Sequence, residues 1–106
     1  MIVNDSIGIK DQVIEKLKMV FDPEIPVDIY ELGLVYELNT MPGGIIKVIM
    51  TLTAPACPAA DLILREVEQK LSEIEGVKEV RIEIIFDPPW DREMMSEEAK
   101  LELGFL

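Results

Sequence analysis

The run Ile45-Ile46-Lys47-Val48-Ile49-Met50-Thr51-Leu52-Thr53 reads as a β-strand inside a sheet. β-Branched residues dominate it; they lose side-chain freedom in a helix but pack well on a pleated surface. Ile46, Val48, Met50 and Leu52 share one face, while Ile45, Ile49 and Thr51 lie on the other with Lys47. Apolar residues on both faces place the strand centrally in its sheet, with helices covering one side. Pro42-Gly43-Gly44 before it forms a turn, so Leu34 to Leu38 pairs with it as a hairpin.

The rest of the chain falls into elements on either side. Val13, Ile14, Leu17, Val20 and Phe21 recur at helical spacing and predict an amphipathic helix over about 9–21. No Ser, Thr or Asp sits cleanly before it, and Asp22-Pro23 ends it. Pro55-Ala56-Cys57-Pro58 breaks the central strand, with Pro58 placed at a first helical position. Ala60, Ile63, Leu64, Val67, Leu71 and Ile74 form the buried stripe of a second helix ending at Gly76. A third strand runs from about Val77 to Phe86, alternating Val80, Ile82, Ile84 and Phe86 with Arg81 and Glu83. Ser96 caps a short last helix that Gly104 stops. Residues 1–8 read as a loose leader, and 1–106 as one domain. The expected fold is α+β: helix-strand-strand-helix-strand with a short C-terminal helix, and a small mixed three-stranded sheet with helices on one face. The helical crossover makes the second and third strands parallel if they are adjacent.

Composition restricts the chemistry. The chain holds one Cys and no His. One Cys cannot close a disulfide within the chain, and no His-based triad or Cys/His zinc finger is available. With 10 basic against 21 acidic residues the net charge is −11, which opposes nucleic acid and anionic membrane surfaces. No apolar run approaches a membrane span and no secretion signal is visible, so the cytoplasm is the expected location.

Cys57 is the most informative residue. It lies where a strand gives way to a helix, and unpaired N–H groups there favour a thiolate, the form that binds soft metals or attacks electrophiles. Pro55 and Pro58 stiffen the loop, and Thr51 and Thr53 offer hydroxyls nearby. A buried, inert Cys is an equally good reading of its position. Asp22 and Glu24 flank Pro23; two carboxylates there suit a hard cation or a base toward a thiol, although turn and cap roles are the commoner use. Trp90 follows Pro88 and Pro89 and either docks a partner or covers the core, and Met94 shares that ambiguity. Gly43-Gly44 is a turn and not a phosphate loop, because no Gly-Lys-Ser/Thr follows.

Three blocks carry a resemblance. They are Phe21-Asp22-Pro23-Glu24-Ile25-Pro26-Val27-Asp28-Ile29-Tyr30-Glu31-Leu32-Gly33-Leu34-Val35-Tyr36, then Met50-Thr51-Leu52-Thr53-Ala54-Pro55-Ala56-Cys57-Pro58, then Phe86-Asp87-Pro88-Pro89-Trp90 with Met95-Ser96-Glu97-Glu98-Ala99-Lys100-Leu101-Glu102-Leu103-Gly104-Phe105. In that order the chain resembles the SufT/PaaD-like family of iron–sulfur maturation factors from about residue 9 onward. The resemblance implies an iron–sulfur assembly-domain fold. It makes Cys57 the functional cysteine, with Asp22, Glu24 and Thr53 grouped near it. Ala56 stands where relatives often carry Gly, which crowds the approach to the sulfur.

The expected function is that of a non-catalytic accessory factor in iron–sulfur cluster assembly or delivery. Cys57 would ligate iron or a transient cluster shared with a second protomer or a partner. Thr51 joins the supporting residues, and Pro88, Pro89, Trp90 and Met94 form a docking surface. The expected partners are assembly scaffold or carrier proteins and client apoproteins, with a homodimer also open. Two alternatives remain: a metal-free adaptor docking client metalloproteins, as in a phenylacetate oxygenase-type system, and a cysteine-dependent enzyme. The latter is weakened by the missing His.

Overall fold

The computed structural model describes residues 1–23, 25–53 and 60–105. In chain order the elements are β1 (Ile2–Asp5), α1 (Lys10–Leu17), β2 (Val35–Met41), β3 (Ile45–Met50), α2 (Ala60–Ser72), β4 (Glu79–Ile84), a 3-10 turn at Arg92–Met94 and α3 (Glu97–Glu102). Among the described residues they form a mixed four-stranded sheet in the order β1-β2-β3-β4. β2 and β3 pair antiparallel, while β1 with β2 and β3 with β4 pair parallel. Two strand-helix-strand units are therefore joined by one hairpin. Each parallel pair is connected through a helix because no tight turn can reverse the chain twice.

The α+β class and the elements from β2 onward agree with the sequence reading, and the strand count needs one correction. Residues 1–8 are not a loose leader: Ile2–Asp5 pairs with Glu37–Thr40, and the Asn4 amide donates to Asn39 Oδ1 at 2.8 Å. The signal is weak because Ile2 and Val3 stand alone before Asn4, Asp5 and Ser6, which are turn-forming residues. Ile2 stays mostly exposed and only Val3 packs partly on the core.

β1 also supplies what α1 lacks. The Asp5 carboxylate accepts from the Ile9 and Lys10 N–H groups at 3.1 and 3.0 Å, and from the buried Thr40 hydroxyl at 2.6 Å. One side chain thus ties β1, β2 and the start of α1 together and satisfies helix donors. The far end of α1 comes earlier than Pro23 requires. Met19 and Val20 close tight turns on Lys16 and Leu17, and the chain then leaves to pair with the next loop, where Ile29 donates to the Val20 carbonyl at 2.8 Å. Tertiary pairing ends this helix, not the proline.

The core lies between the helices and one face of the sheet. Val13 and Leu17 of α1, and Ile63, Val67 and Leu71 of α2, are buried with Leu38, Ile46, Val48 and Met50. On β3 the alternation is as the sequence predicts: 46, 48 and 50 are buried, while 45, 47 and 49 are half-exposed. β2 breaks the period. Val35 opposes Met50 and Glu37 opposes Ile49, so Tyr36 is an extra residue that bulges from the ladder. That is why Val35 and Leu38, three apart, both reach the core.

Two glycines hold backbones in contact. At Gly44 (φ +76°) a Cβ would collide with the Gly76 carbonyl, so the hairpin turn sits against the α2–β4 connection. At Gly33 (φ +78°) a Cβ would collide with the Met94 carbonyl. Both positions need a left-handed backbone and an absent side chain.

Two outcomes are expected. Gly33→Ala should destabilise the protein by about 2–4 kcal/mol, through left-handed strain plus displacement of the Met94 backbone. An unchanged urea midpoint would contradict that close approach. The Asp5 carboxyl is held below its ordinary pKa, chiefly by the Thr40 hydrogen bond and then by the backbone N–H groups. A depressed native pKa gives stability that is present above the unfolded-state value and lost as pH falls through the native one. Asp5→Asn should therefore lower the melting temperature at pH 7, with the gap closing as wild type is acidified; a pH-independent gap would contradict the linkage.

Candidate functional site

The segment between α1 and β2 is irregular, because Pro23 and Pro26 deny it donors and helical geometry. Its described residues are nonetheless tied by backbone pairing. Phe21 and Asp28 form an isolated bridge, Asp22 N–H donates to the Val27 carbonyl, and Ile25 N–H donates to the Asp22 carbonyl. Asp28 Oδ2 accepts from the Glu31 N–H at 3.0 Å, closing a turn that buries Ile29 and Leu32. Burial pushes the Asp28 carboxyl up, although its backbone hydrogen bonds work against that. Asp22 is 3% exposed, so its carboxylate belongs to the interior of this loop and is not a solvated charge.

The Leu32–Gly33 turn is the floor on which the C-terminal segment lies. The Trp90 indole N–H donates to the Leu32 carbonyl at 2.7 Å, and Ser96 N–H donates to the Glu31 carbonyl at 2.8 Å. Between them the Met94 backbone crosses Gly33. Trp90 is half-buried against the core, while Pro88 and Pro89 are exposed. The Asp87–Pro88 peptide is cis. The bulged Tyr36 reaches the same segment: its hydroxyl donates to the Pro88 carbonyl at 2.8 Å and lies 3.5 Å from Met94 Sδ. Burial raises the Tyr36 pKa, a hydrogen bond from Thr51 opposes this, and the Asp91 charge adds to the rise. Tyr36 thus remains a neutral donor across the physiological range. A groove of about 560 Å³ opens here, lined in part by Tyr30, Tyr36, Pro88 and Met94.

Thr51 connects this region to the end of β3. It is buried, and its N–H donates to the Leu34 carbonyl at 2.8 Å, next to the Leu32–Gly33 turn. Its hydroxyl lies 3.5 Å from the Leu52 carbonyl. Thr53, half-exposed, follows. The described residues therefore gather Thr51, Tyr36, Pro88, Met94 and the Trp90 anchor at one end of the β2–β3 hairpin. Glu24 and Cys57 lie outside the described residues, as does the expected first-position role of Pro58. Among the described residues no group of three or more acidic or thiol side chains is placed to hold a metal ion. No helix among them is long and apolar enough to cross a membrane.

Sequence reasoning passed over Tyr36, Asp28 and the Leu32 carbonyl. Tyr36 had a signal: an aromatic residue continuing the Leu34-Val35 strand near Thr51 across the hairpin. Its bulge, which aims the hydroxyl at Pro88, had none.

Comparison with known proteins bears on what this arrangement serves. An auxiliary factor of iron–sulfur protein maturation from Porphyromonas gingivalis is 48% identical and covers 97% of this chain and 98% of its own length. The maturation auxiliary factor SufT of Staphylococcus aureus is 43% identical over 81% of this chain and 98% of its own. The crystal structure of a domain of unknown function from Bacillus anthracis superposes with a TM-score of 0.87 at 34% identity, covering 93% of this chain and 94% of that one. The iron–sulfur cluster assembly protein family matches residues 10–84, which span α1, the Asp22 loop, the hairpin, Cys57 and β4. With most of its length matched in this way, the chain belongs to the iron–sulfur cluster assembly protein family.

Proposed function

We propose that the protein is a cytoplasmic, non-catalytic accessory factor that assembles iron–sulfur clusters or delivers them to client apoproteins, with the Cys57 thiolate as its ligand to the cargo. The family match over residues 10–84 carries this reading, because those residues include the lone cysteine. Donor arithmetic supports it. Iron–sulfur clusters ordinarily take four protein thiolates, and this chain offers one, with no imidazole to substitute. Any cluster held here must draw its other ligands from a partner protein, a second protomer or small thiols. Incomplete ligation suits a protein that gives its cargo away, since transfer requires ligands to leave. Asp22 and Glu24 would tune the thiol or add oxygen ligands, and Thr51 and Thr53 would frame the approach.

A client must also be held while the cargo moves. Pro88 and Met94 border the groove beneath Tyr36, and Trp90 and Pro89 fix the segment that presents them. The groove favours docking there whether or not the chain carries metal, so a metal-free adaptor is the second reading.

Anaerobic reconstitution with ferrous iron and sulfide separates the two. Cys57→Ser should lose most of the bound iron and acid-labile sulfide while its circular dichroism is unchanged. Loading equal to the parent would remove the thiolate from the mechanism and leave the adaptor. Met94→Glu places a charge in the groove without touching the donors. It should load like the parent but transfer cluster to an apo-ferredoxin more slowly, by about tenfold for one lost apolar contact and one desolvated charge. Equal transfer would count against docking at this groove.

A further inference from the structure

β4 ends the sheet. Among the described residues no strand pairs with its outer edge, and it runs six residues from Glu79 to Ile84. Glu79 and Ile85 direct their N–H groups inward, to the carbonyls of Gly44 and Met50. Because backbone direction alternates along a strand, Val80, Ile82 and Ile84 aim their N–H and C=O groups outward. An open edge of this kind is a template for another strand.

We infer that this edge pairs with the same edge of a second copy of the chain, antiparallel and about a two-fold axis at Ile82. The reason is that one register pairs the apolar and the charged positions of the strand with themselves at once. Centred on Ile82, the outward groups of Val80, Ile82 and Ile84 meet those of Ile84, Ile82 and Val80 in the partner, each as a hydrogen-bonded pair. Arg81 then falls opposite Glu83, and Glu83 opposite Arg81, at the closely spaced positions between them. Outward groups meet outward groups only when the register moves in whole-residue shifts of the axis, and the neighbouring registers fail. About Arg81, like charges oppose: Arg81 meets itself and Glu79 meets Glu83. About Glu83, that residue meets its own copy. About Val80, Arg81 would oppose Glu79, but Ile82 is set against Lys78 and Ile84 against Gly76, outside the strand.

The surroundings agree. Arg81 already contacts Glu79, and Lys47 lies 3.9 Å from Glu83, so the exposed face of the strand carries alternating charge that a two-fold copy would continue. On the other face Val80 and Ile82 floor a groove of about 480 Å³ walled by Asp61, Arg65 and Glu68 of α2. The partner's Ile84 would lie beside Val80 at that groove. There Arg65 stands between two carboxylates on one helical face, a pattern that also complements its own two-fold copy. The net charge of −11 per chain opposes association at long range, but at physiological salt a screening length of about 8 Å leaves the close pairs dominant. Antiparallel pairing sends the Thr53 ends of the two β3 strands in opposite directions. The pairing uses no residue proposed as a ligand, so it is independent of cluster ligation.

Sedimentation equilibrium of the full chain at physiological ionic strength tests this. Wild type should show a concentration-dependent monomer–dimer equilibrium, retained in Cys57→Ser. Arg81→Glu turns two attractive pairs into repulsive ones and should raise the dissociation constant about tenfold or more. Its iron and sulfide loading and its urea midpoint should stay at parental values. The double variant Arg81→Glu/Glu83→Arg restores opposite charges in the same register and should recover association. Wild type that stays monomeric up to about 0.5 mM, bounding the dissociation constant near the millimolar range, would overturn the proposal. So would association indifferent to Arg81→Glu, or a double variant no tighter than the single one. Loss of loading in Cys57→Ser leaves the dimer standing, so the two proposals fail separately.

Discussion

The contact between the Leu32–Gly33 turn and the chain from Trp90 to Ser96 organises the functional end of the molecule. Three links fasten it: the indole hydrogen bond to Leu32, the passage of Met94 across Gly33, and the Ser96 bond to Glu31. The two hydrogen bonds use main-chain carbonyls that would otherwise be stranded in a loop with no regular partner. The turn is itself set by the Asp28 carboxylate and by Leu34, whose N–H donates to Ile29 and whose carbonyl receives Thr51. A disturbance at the turn therefore reaches the Asp22 loop, the end of β3 and the C-terminal segment together. Described residues of all three sequence blocks named above meet at this junction: Leu32 and Gly33 of the first, Thr51 of the second, Trp90 and Ser96 of the third.

Much of the scaffold can be read from the sequence because it follows from periodicity. The 46/48/50 face of β3, the 63/67/71 stripe of α2 and the Ser96 cap, whose hydroxyl accepts from Ala99 N–H at 3.1 Å, are local patterns with one physical solution. The features that escape are those decided across the fold. β1 is too short to declare itself and exists because β2 offers it an edge. The α1 donors are satisfied by Asp5, four residues before Ile9, so the cap is invisible to a rule that looks one position upstream. α1 stops where Val20 finds Ile29, and Tyr36 leaves the ladder because Val35 and Leu38 both have core to fill. At the site the limit is similar. Residue types name Cys57, Asp22 and Thr51 as candidates, but only the packed structure shows that Asp22 is interior and that Thr51 shares a hydrogen-bonded neighbourhood with Tyr36 and Pro88.

The donor count limits the chemistry open to the chain. A protein built to keep a metal surrounds it with enough ligands to exclude exchange; one thiolate and no imidazole cannot do so. What the chain provides instead is a rigid frame with surface to spare: a groove beside Tyr36, a half-buried Trp spent on anchoring, and methionines that adapt to irregular contacts. Rigidity matters for a carrier because a preorganised platform loses less freedom when a second protein completes the site. The acidic surface adds selectivity, favouring basic partners and repelling phosphate-rich ones.

The two ends of the sheet then divide the work. In the proposed reading, cargo chemistry rests on Cys57, while the β4 edge offers backbone groups and a charge pattern that complements its own copy. A strand edge meant to stay alone usually carries charge of one sign or a proline, either of which repels a copy of itself. β4 carries neither. Its Arg81 sits between two glutamates, so the residue that would protect the edge from a foreign strand is the one that fits it to its own. Association of this kind would raise the number of thiolates presented to one client without adding a contact to any of them.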